Sequence, residues 1–173
     1  MSTLKYKWIP ATTFTPGRIR DIACIILHST DGHQAGDIAT LTGQTGRKVS
    51  AHWYINKSGD IFHFVQDCDT AWHAGLVFDT AYGNAGSIGI EQEHMDGEEP
   101  WTPVQIQAAA NLCAFLTQRH RIPVGDNGHH NIFSHADVAK PRGRKVDPQN
   151  YPWATFWQLY AAALANKWEA VQG

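Results

Sequence analysis

Short apolar runs separated by turn-forming residues predict several β-strands. Residues 23 to 30 (ACIILHST) are apolar and rich in β-favouring side chains, which predicts a buried strand ending at His28. Residues 50 to 65 contain two such runs around a Ser-Gly-Asp turn, and this arrangement predicts two strands joined by a tight turn. Residues 87 to 94 (SIGIEQEH) predict a further strand.

Helical spacing appears in the second half of the chain. Thr102 is suited to cap a helix, Pro103 to begin it, and the apolar residues that follow predict a helix from about 103 to 120. A second helix is predicted after Pro152, with one apolar face made of Trp153, Phe156, Trp157, Tyr160, Leu164 and Trp168. A third covers residues 36 to 45. Strands interleaved with helices predict an α/β fold with a central mixed sheet flanked by α-helices.

Composition limits the size and the class of the protein. The 173 residues are 43% hydrophobic, with seven Trp and seven Phe, which suits one compact domain over residues 1 to 173. We expect no separate binding domain, because no repeat, low-complexity segment or long linker appears. A formal net charge of -2 supplies no broad basic face, which argues against a nucleic-acid partner. We expect a monomer.

The lack of a recognisable signal peptide and the spacing of the cysteines predict synthesis inside the cell. No apolar run has the length of a signal peptide or approaches the roughly 20 residues of a membrane span. We therefore expect synthesis in the cytoplasm and no membrane insertion. Cys24, Cys68 and Cys113 are widely spaced and odd in number, which predicts reduced, mostly buried thiols.

Two histidines and one aspartate are candidates for a metal site. His28 is carried to the rim of the sheet by a buried strand, although a strand-end histidine can also simply be hydrogen-bonded. His135 and Asp147 lie twelve residues apart in a loop rich in Pro and Gly, and Asp147 precedes a proline that favours an extended backbone. Two His and one carboxylate form a common catalytic zinc set, because three ligands leave the fourth position for water.

Charged residues close to these candidates suggest further roles. Lys145 points the same way as Asp147 if the backbone between them is extended. On the strand at residues 87 to 94, alternation places Ile88 and Ile90 on the core side and Gly89, Glu91 and Glu93 on the other. Gly89 is expected to leave open space beside Glu91. Either glutamate is a candidate for proton transfer, and both could also be solvated.

The other histidines and the aromatic residues have simpler interpretations. His52 and His63 lie on the predicted hairpin and are expected to pack or form hydrogen bonds. Five histidines lie in or beside turns and are expected to be solvated: His33, His94, His120, His129 and His130. His33 and His94 follow the key motifs and are also candidates to line a groove. Three aromatic residues are candidates for stacking on sugar or lining a peptide groove, namely Trp72, Trp53 and Tyr82.

The motifs resemble those of the type-2 N-acetylmuramoyl-L-alanine amidases. The similarity runs in family order from about residue 20 to 155, through IILHSTDG, VSAHWYINKSGDIFHFV, AWHAG, SIGIEQE, and SH followed by GRKVDP. The resemblance implies zinc ligands at His28, His135 and Asp147, and it implies a catalytic acid or base at Glu91. It further implies an oxyanion-stabilising Lys145 and a substrate-groove role for His73, beside Trp72.

The resemblance also implies a reaction and a cofactor. We expect one Zn²⁺ per chain and hydrolysis of the amide bond between N-acetylmuramic acid and L-alanine in peptidoglycan. A phage endolysin that causes host lysis is the first interpretation, and a recycling amidase acting on anhydro-muropeptides is the alternative. We expect an endolysin to act on the cell wall after release by another factor, and we expect no separate cell-wall-binding domain. A non-catalytic peptidoglycan-binding receptor is a third. Gln149 replaces the glycine usual in recycling amidases, and Ala51 replaces a tyrosine of phage lysozyme-type amidases, which leaves proton transfer to Glu91.

Overall fold

The computed structural model describes residues 2 to 95, 100 to 125 and 128 to 173, which form an α/β domain around one mixed sheet. The seven strands are β1 Ser2–Trp8, β2 Cys24–Leu27, β3 Trp53–Ile55, β4 Ile61–His63, β5 Ser87–Gln92, β6 Ile132–Ser134 and β7 Trp168–Gln172. Their spatial order is β6-β2-β5-β3-β4-β1-β7. Only the β3/β4 hairpin pairs antiparallel among these strands; the other neighbours are parallel. The predicted α/β class and mixed sheet are confirmed.

The helices are α1 Gln34–Leu41, α2 Pro103–His120, α3 His135–Val138 and α4 Trp153–Leu164. The helix predicted at residues 103 to 120 is confirmed at both ends. The helix predicted at residues 36 to 45 begins and ends a few residues earlier than predicted. No helix in the described parts of the chain has the length and apolar character to cross a bilayer. Short 3₁₀ turns cover Thr80–Tyr82 and Asn84–Gly86.

The terminal strands are the main departure from the predicted elements. Trp168 was expected on the apolar face of the last helix, but α4 ends at Leu164 and Trp168 begins β7. Its indole still packs back on the helix, because Nε1 donates to the carbonyl oxygen of Ala163 over 2.8 Å. Strand β1 was not predicted; it pairs with β7 and buries Leu4.

The core lies on both faces of the sheet. Ile88 and Ile90 of β5 pack with Ile106 and Leu112 of α2 on one face, as the alternation predicted. On the opposite face a smaller cluster lies under α1: Leu41, Ala51, Tyr54, Phe62 and Phe64. Residues of β5 that point away from the α2 face are therefore free of the larger core. Glu91 is one of them.

The thiols are mostly buried, as predicted, but two histidines are less exposed than predicted. Cys24 and Cys113 are buried, and burial raises the pKa of both thiols, whereas Cys68 is exposed. His94 was expected in solvent, yet its ring is buried and stacks on Trp101 with centroids 3.9 Å apart. The Trp101 ring covers the His94 ring. His120 is half-buried because its Nε2 lies 2.9 Å from the Asp67 carboxylate.

Replacing the cap of α2 tests how this helix is anchored. Thr102 Oγ1 accepts from the Gln105 amide over 3.2 Å and donates to the Lys57 carbonyl over 2.7 Å, so Thr102→Ala removes both bonds. We expect the free energy of unfolding to fall by about 1 to 2 kcal/mol, measured by urea denaturation. Thr45→Ala is the control, because Thr45 is exposed and is not the cap residue of any described helix. An equal loss in both variants would contradict the assignment.

Candidate metal centre and active site

Strand pairing brings the three candidate ligands together. Leu27 of β2 lies in register with Ser134 of β6, so His28 and His135 leave the same edge of the sheet side by side. Asp147 reaches them from the loop before Pro148. The Nδ1 atoms of the two histidines are 3.0 Å apart, and Asp147 Oδ2 lies 3.3 Å from His28 Nδ1 and 3.1 Å from His135 Nδ1.

The donor atoms fit a small divalent metal. A tetrahedral ion with ligands at about 2.0 to 2.1 Å spaces those ligands by about 3.3 Å, which is close to each side of this triangle. His135 Nε2 lies 3.0 Å from the Ala74 carbonyl, which can only accept, so the proton is on Nε2 and a lone pair on Nδ1. Lone pairs that converge in this way favour a cation between them.

Burial keeps His28 in its ligating form. His28, His135 and Asp147 are all buried. Burial lowers the pKa of His28 to about 4, so its imidazole is neutral at neutral pH. Burial by itself would raise the pKa of Asp147, but the contacts with His135 and His28 outweigh it and lower the pKa. The triad therefore offers two imidazoles and one carboxylate as ligands.

The two glutamates of the SIGIEQE motif have different surroundings. Glu91 is half-buried, and its Oε1 lies 4.0 Å from His28 Nδ1. Glu93 is buried and accepts from two backbone amides, that of Gln34 at 3.0 Å and that of Lys57 at 2.9 Å. The Glu93 carboxylate thus ties the start of α1 to the hairpin turn, whereas Glu91 lies beside the triad.

A cavity of about 390 Å³ contains all seven site residues predicted from the sequence. They are His28, Trp72, His73, Glu91, His135, Lys145 and Asp147. The sequence analysis missed Arg47, which also lines the cavity, and considered His33 only as a candidate. His33 could be found because it follows the first motif, but nothing in the local pattern distinguishes Arg47 from a solvated surface residue.

The His73 ring lies directly beside Gly89 of β5. The space beside Gly89 was expected to be open, but the His73 ring fills it, and a Cβ on Gly89 would lie 2.4 Å from His73 Cγ. His73 Nδ1 is 3.0 Å from His28 Nε2, and burial lowers the pKa of His73 well below its usual value. Trp72 is half-buried and donates from Nε1 to Thr15 Oγ1 over 2.9 Å.

A larger cavity of about 960 Å³ lies elsewhere and lacks comparable chemistry. Its buried carboxylate, Asp67, accepts from Trp53 Nε1 over 2.9 Å and lies 2.9 Å from His120 Nε2. Among the described residues, the group of potential metal ligands that meets at one point is His28, His135 and Asp147. Size alone does not mark the reactive cavity of this fold.

Comparison with known proteins agrees with this geometry. The family model for N-acetylmuramoyl-L-alanine amidase matches residues 18 to 150, and the chain belongs to this family. The 1,6-anhydro-N-acetylmuramyl-L-alanine amidase AmpD of Haemophilus influenzae is 31% identical over 119 residues, covering 68% of this chain and 59% of the relative. AmpD of Citrobacter freundii is 35% identical over 118 residues, covering 65% and 57%. The match thus spans less than two thirds of these relatives.

Solved structures share the fold. A crystal structure of an AmpD selenomethionine derivative has a TM-score of 0.74 and 26% identity, covering 89% of this chain and 93% of that one. The amidase AmiD from E. coli, in complex with anhydro-N-acetylmuramic acid-L-Ala-D-gamma-Glu-L-Lys, has a TM-score of 0.67 and 29% identity, covering 80% and 57%. LysC from Clostridium intestinale, at 22% identity and a TM-score of 0.67 over 96% and 99%, shows the fold alone.

Metal analysis tests the triad directly. We expect about one divalent metal ion per chain in the purified protein, because three buried ligands on fixed elements form a preorganised site. His28→Ala should abolish stoichiometric binding, measured by elemental analysis after dialysis. His129→Ala is the matched control, since His129 is exposed and stacks on Trp157, and it should leave the metal content unchanged. Full metal content in His28→Ala would contradict the assignment.

Proposed function

We propose that this member of the N-acetylmuramoyl-L-alanine amidase family is a zinc-dependent hydrolase of the amide bond between the lactyl group of N-acetylmuramic acid and L-alanine in muropeptides. The supporting observation is the triangle of ligand atoms, 3.0 to 3.3 Å on each side, in a cavity that also holds Glu91 and Lys145. Two imidazoles and one carboxylate suit zinc in a catalytic site, which keeps its fourth position for water or substrate.

The proposed mechanism assigns the proton movements to Glu91. Zinc, when bound, supplies a Lewis acid for the scissile carbonyl and brings the pKa of water toward about 7. Glu91, close to His28, takes one proton from the attacking water and delivers it to the alanine nitrogen. The water oxygen joins the carbonyl carbon, the C–N bond breaks, and the products are a lactyl carboxylate and a free amine. Such acid-base assistance contributes about 10² to 10⁴ in rate.

Lys145 supplies positive charge near the carbonyl oxygen. It lies on the exposed side of the cavity in the same loop as Asp147, two residues away. As the carbonyl oxygen becomes negative, an ammonium group stabilises it more than it stabilises the ground state, by about 3 to 4 kcal/mol for comparable donors.

Soluble anhydro-muropeptides are the substrate class that we propose. The curated relatives described above are named as 1,6-anhydro amidases, and AmiD was solved with an anhydro-muropeptide, whereas LysC shares the fold alone. These likenesses favour the recycling-type substrate over the endolysin interpretation. Gln149, which departs from the recycling motif, contacts Trp101 through its backbone carbonyl, which accepts from Nε1 over 2.9 Å. Because this contact uses the backbone carbonyl, it is available whether residue 149 is glutamine or glycine.

Product analysis tests the reaction and the substrate class together. We expect new free L-alanine amines without new reducing ends, because a glycosidase would require two carboxylates facing the sugar bond. We also expect faster turnover of a soluble anhydro-muropeptide than of intact sacculi, measured by chromatography at equal muramic acid concentration. Turnover restricted to sacculi would reject the recycling-type substrate in favour of an endolysin, and new reducing ends would reject the amidase.

Paired substitutions test the proton carrier. Glu91→Gln should retain zinc and stability but lose about 10² to 10⁴ in kcat, because the amide cannot accept the water proton. Glu93→Gln is the matched control on the same segment. It weakens the bonds to the Gln34 and Lys57 amides, so it should cost about 1 to 3 kcal/mol of unfolding free energy with a smaller effect on kcat.

The opposite pattern would transfer the proposed role. If Glu93→Gln abolished turnover at full zinc content and stability, while Glu91→Gln remained near native, proton transfer would belong to Glu93. Zinc content and thermal unfolding are therefore measured for each variant beside kcat.

A further inference from the structure

Each histidine ligand is held by the ring nitrogen that points away from the metal position. His28 Nε2 lies 3.0 Å from His73 Nδ1, and His135 Nε2 lies 3.0 Å from the Ala74 carbonyl oxygen. The two partners are consecutive in the chain, one acting through its side chain and the other through its backbone. A single dipeptide therefore contacts both imidazole ligands.

The direction of the hydrogen bonds can be followed from the far end. Ser87 Oγ donates to the Gly83 carbonyl over 2.8 Å, and a carbonyl can only accept. The single hydroxyl proton of Ser87 is thereby used, so its oxygen must accept from His73 Nε2, which lies 3.2 Å away. His73 then carries its proton on Nε2 and presents a lone pair on Nδ1 to the His28 Nε2–H.

This chain of bonds leaves the His28 lone pair on Nδ1, which is the atom of the ligand triangle. The His73 ring also lies against the rings of His28 and His52, whose centroids are 5.1 and 5.6 Å away. A neutral imidazole has one donor and one acceptor nitrogen. The hydrogen bonds of Ser87 decide which nitrogen is which.

The dipeptide itself is fixed on two sides. Asn84 Oδ1 accepts from the backbone amides of His73 over 3.1 Å and Ala74 over 2.8 Å. The His73 ring lies against the backbone of β5 at Gly89, where a Cβ would lie 2.4 Å from Cγ. Neither the backbone nor the ring can move far without a clash or the loss of these bonds.

We propose that His73 and Ala74 form one shared support that sets the tautomer and orientation of both histidine ligands, with His73 acting as a positioning residue for His28 and Ser87 as its anchor. The inference rests on the proposed metal site. It also changes the interpretation of His73, whose ring is engaged by His28 and Ser87 and acts through the ligand. Outer partners of this kind typically contribute 10- to 100-fold to metal affinity.

Zinc affinity without substrate is the primary test. The wild-type protein, His73→Leu, His73→Asn and Ser87→Ala are titrated against a chelator of known zinc affinity. We expect His73→Leu to weaken zinc binding about 10- to 100-fold. His73→Asn should restore most of the affinity, because its Oδ1 occupies the place of Nδ1 and can accept from His28. Ser87→Ala should fall between the wild type and His73→Leu.

A control and a second signal separate positioning from general damage. Thr117→Val removes a buried hydroxyl that accepts from Tyr160 over 3.0 Å on the α2 face, and it should leave zinc affinity unchanged. In the cobalt-substituted proteins, the visible absorption bands should shift in His73→Leu and Ser87→Ala but not in Thr117→Val, because a reoriented imidazole changes the ligand field.

The outcomes distinguish the support from the function. Wild-type zinc affinity and cobalt spectra in both His73→Leu and Ser87→Ala, with folding verified by circular dichroism, would overturn the proposal while leaving the amidase assignment intact. Equal losses in His73→Leu and His73→Asn, with a native Ser87→Ala, would also overturn it, because the acceptor atom would then be irrelevant. Absence of zinc from the wild type would instead reject the metal site itself.

Discussion

Parallel pairing of β2 with β5 and β6 is the constraint on which the site depends. Leu27 pairs with one residue of each neighbouring strand, and the residue that follows each of these three is a site residue: His28, Glu91 and His135. The carboxyl ends of three adjacent strands thus bring two imidazoles and one carboxylate together without a long-range loop. The other four site residues come from irregular chain, Trp72 and His73 from one loop and Lys145 and Asp147 from another.

The same pairing concentrates groups that do not favour one another. Two buried imidazoles and a buried carboxylate direct lone pairs to one point, an arrangement that a cation relieves and that costs free energy without one. The packing on the other side of the sheet, where Ile88 and Ile90 are fully buried against α2, offsets this cost. The larger core therefore holds the strands in register while their opposite face and their ends carry the chemistry.

Sequence patterns predicted the central elements, because these depend on local periodicity, and the resemblance to the amidase family implied which residues share one site. They failed for β7, where Trp168 continued a helical spacing that the chain abandons after Leu164. They could not separate Glu91 from Glu93, because alternation places both on one face. The strand ends at Gln92, so Glu93 leaves the alternation and binds the amides of neighbouring segments.

Gly89 affects the proposed metal site indirectly, through the His73 ring that contacts His28. In a strand interior, glycine indicates a bulge or a close approach of another group, and the approaching group here is the ring that contacts His28. A side chain at 89 would displace the His73 ring from β5 and so disturb a ligand that it never touches. Glu91, one pleat further along, needs the opposite property, a long side chain that reaches the triad. Alternation on β5 thus places Gly89, where a side chain would clash, next to Glu91, the proposed proton carrier, on the same face of the strand.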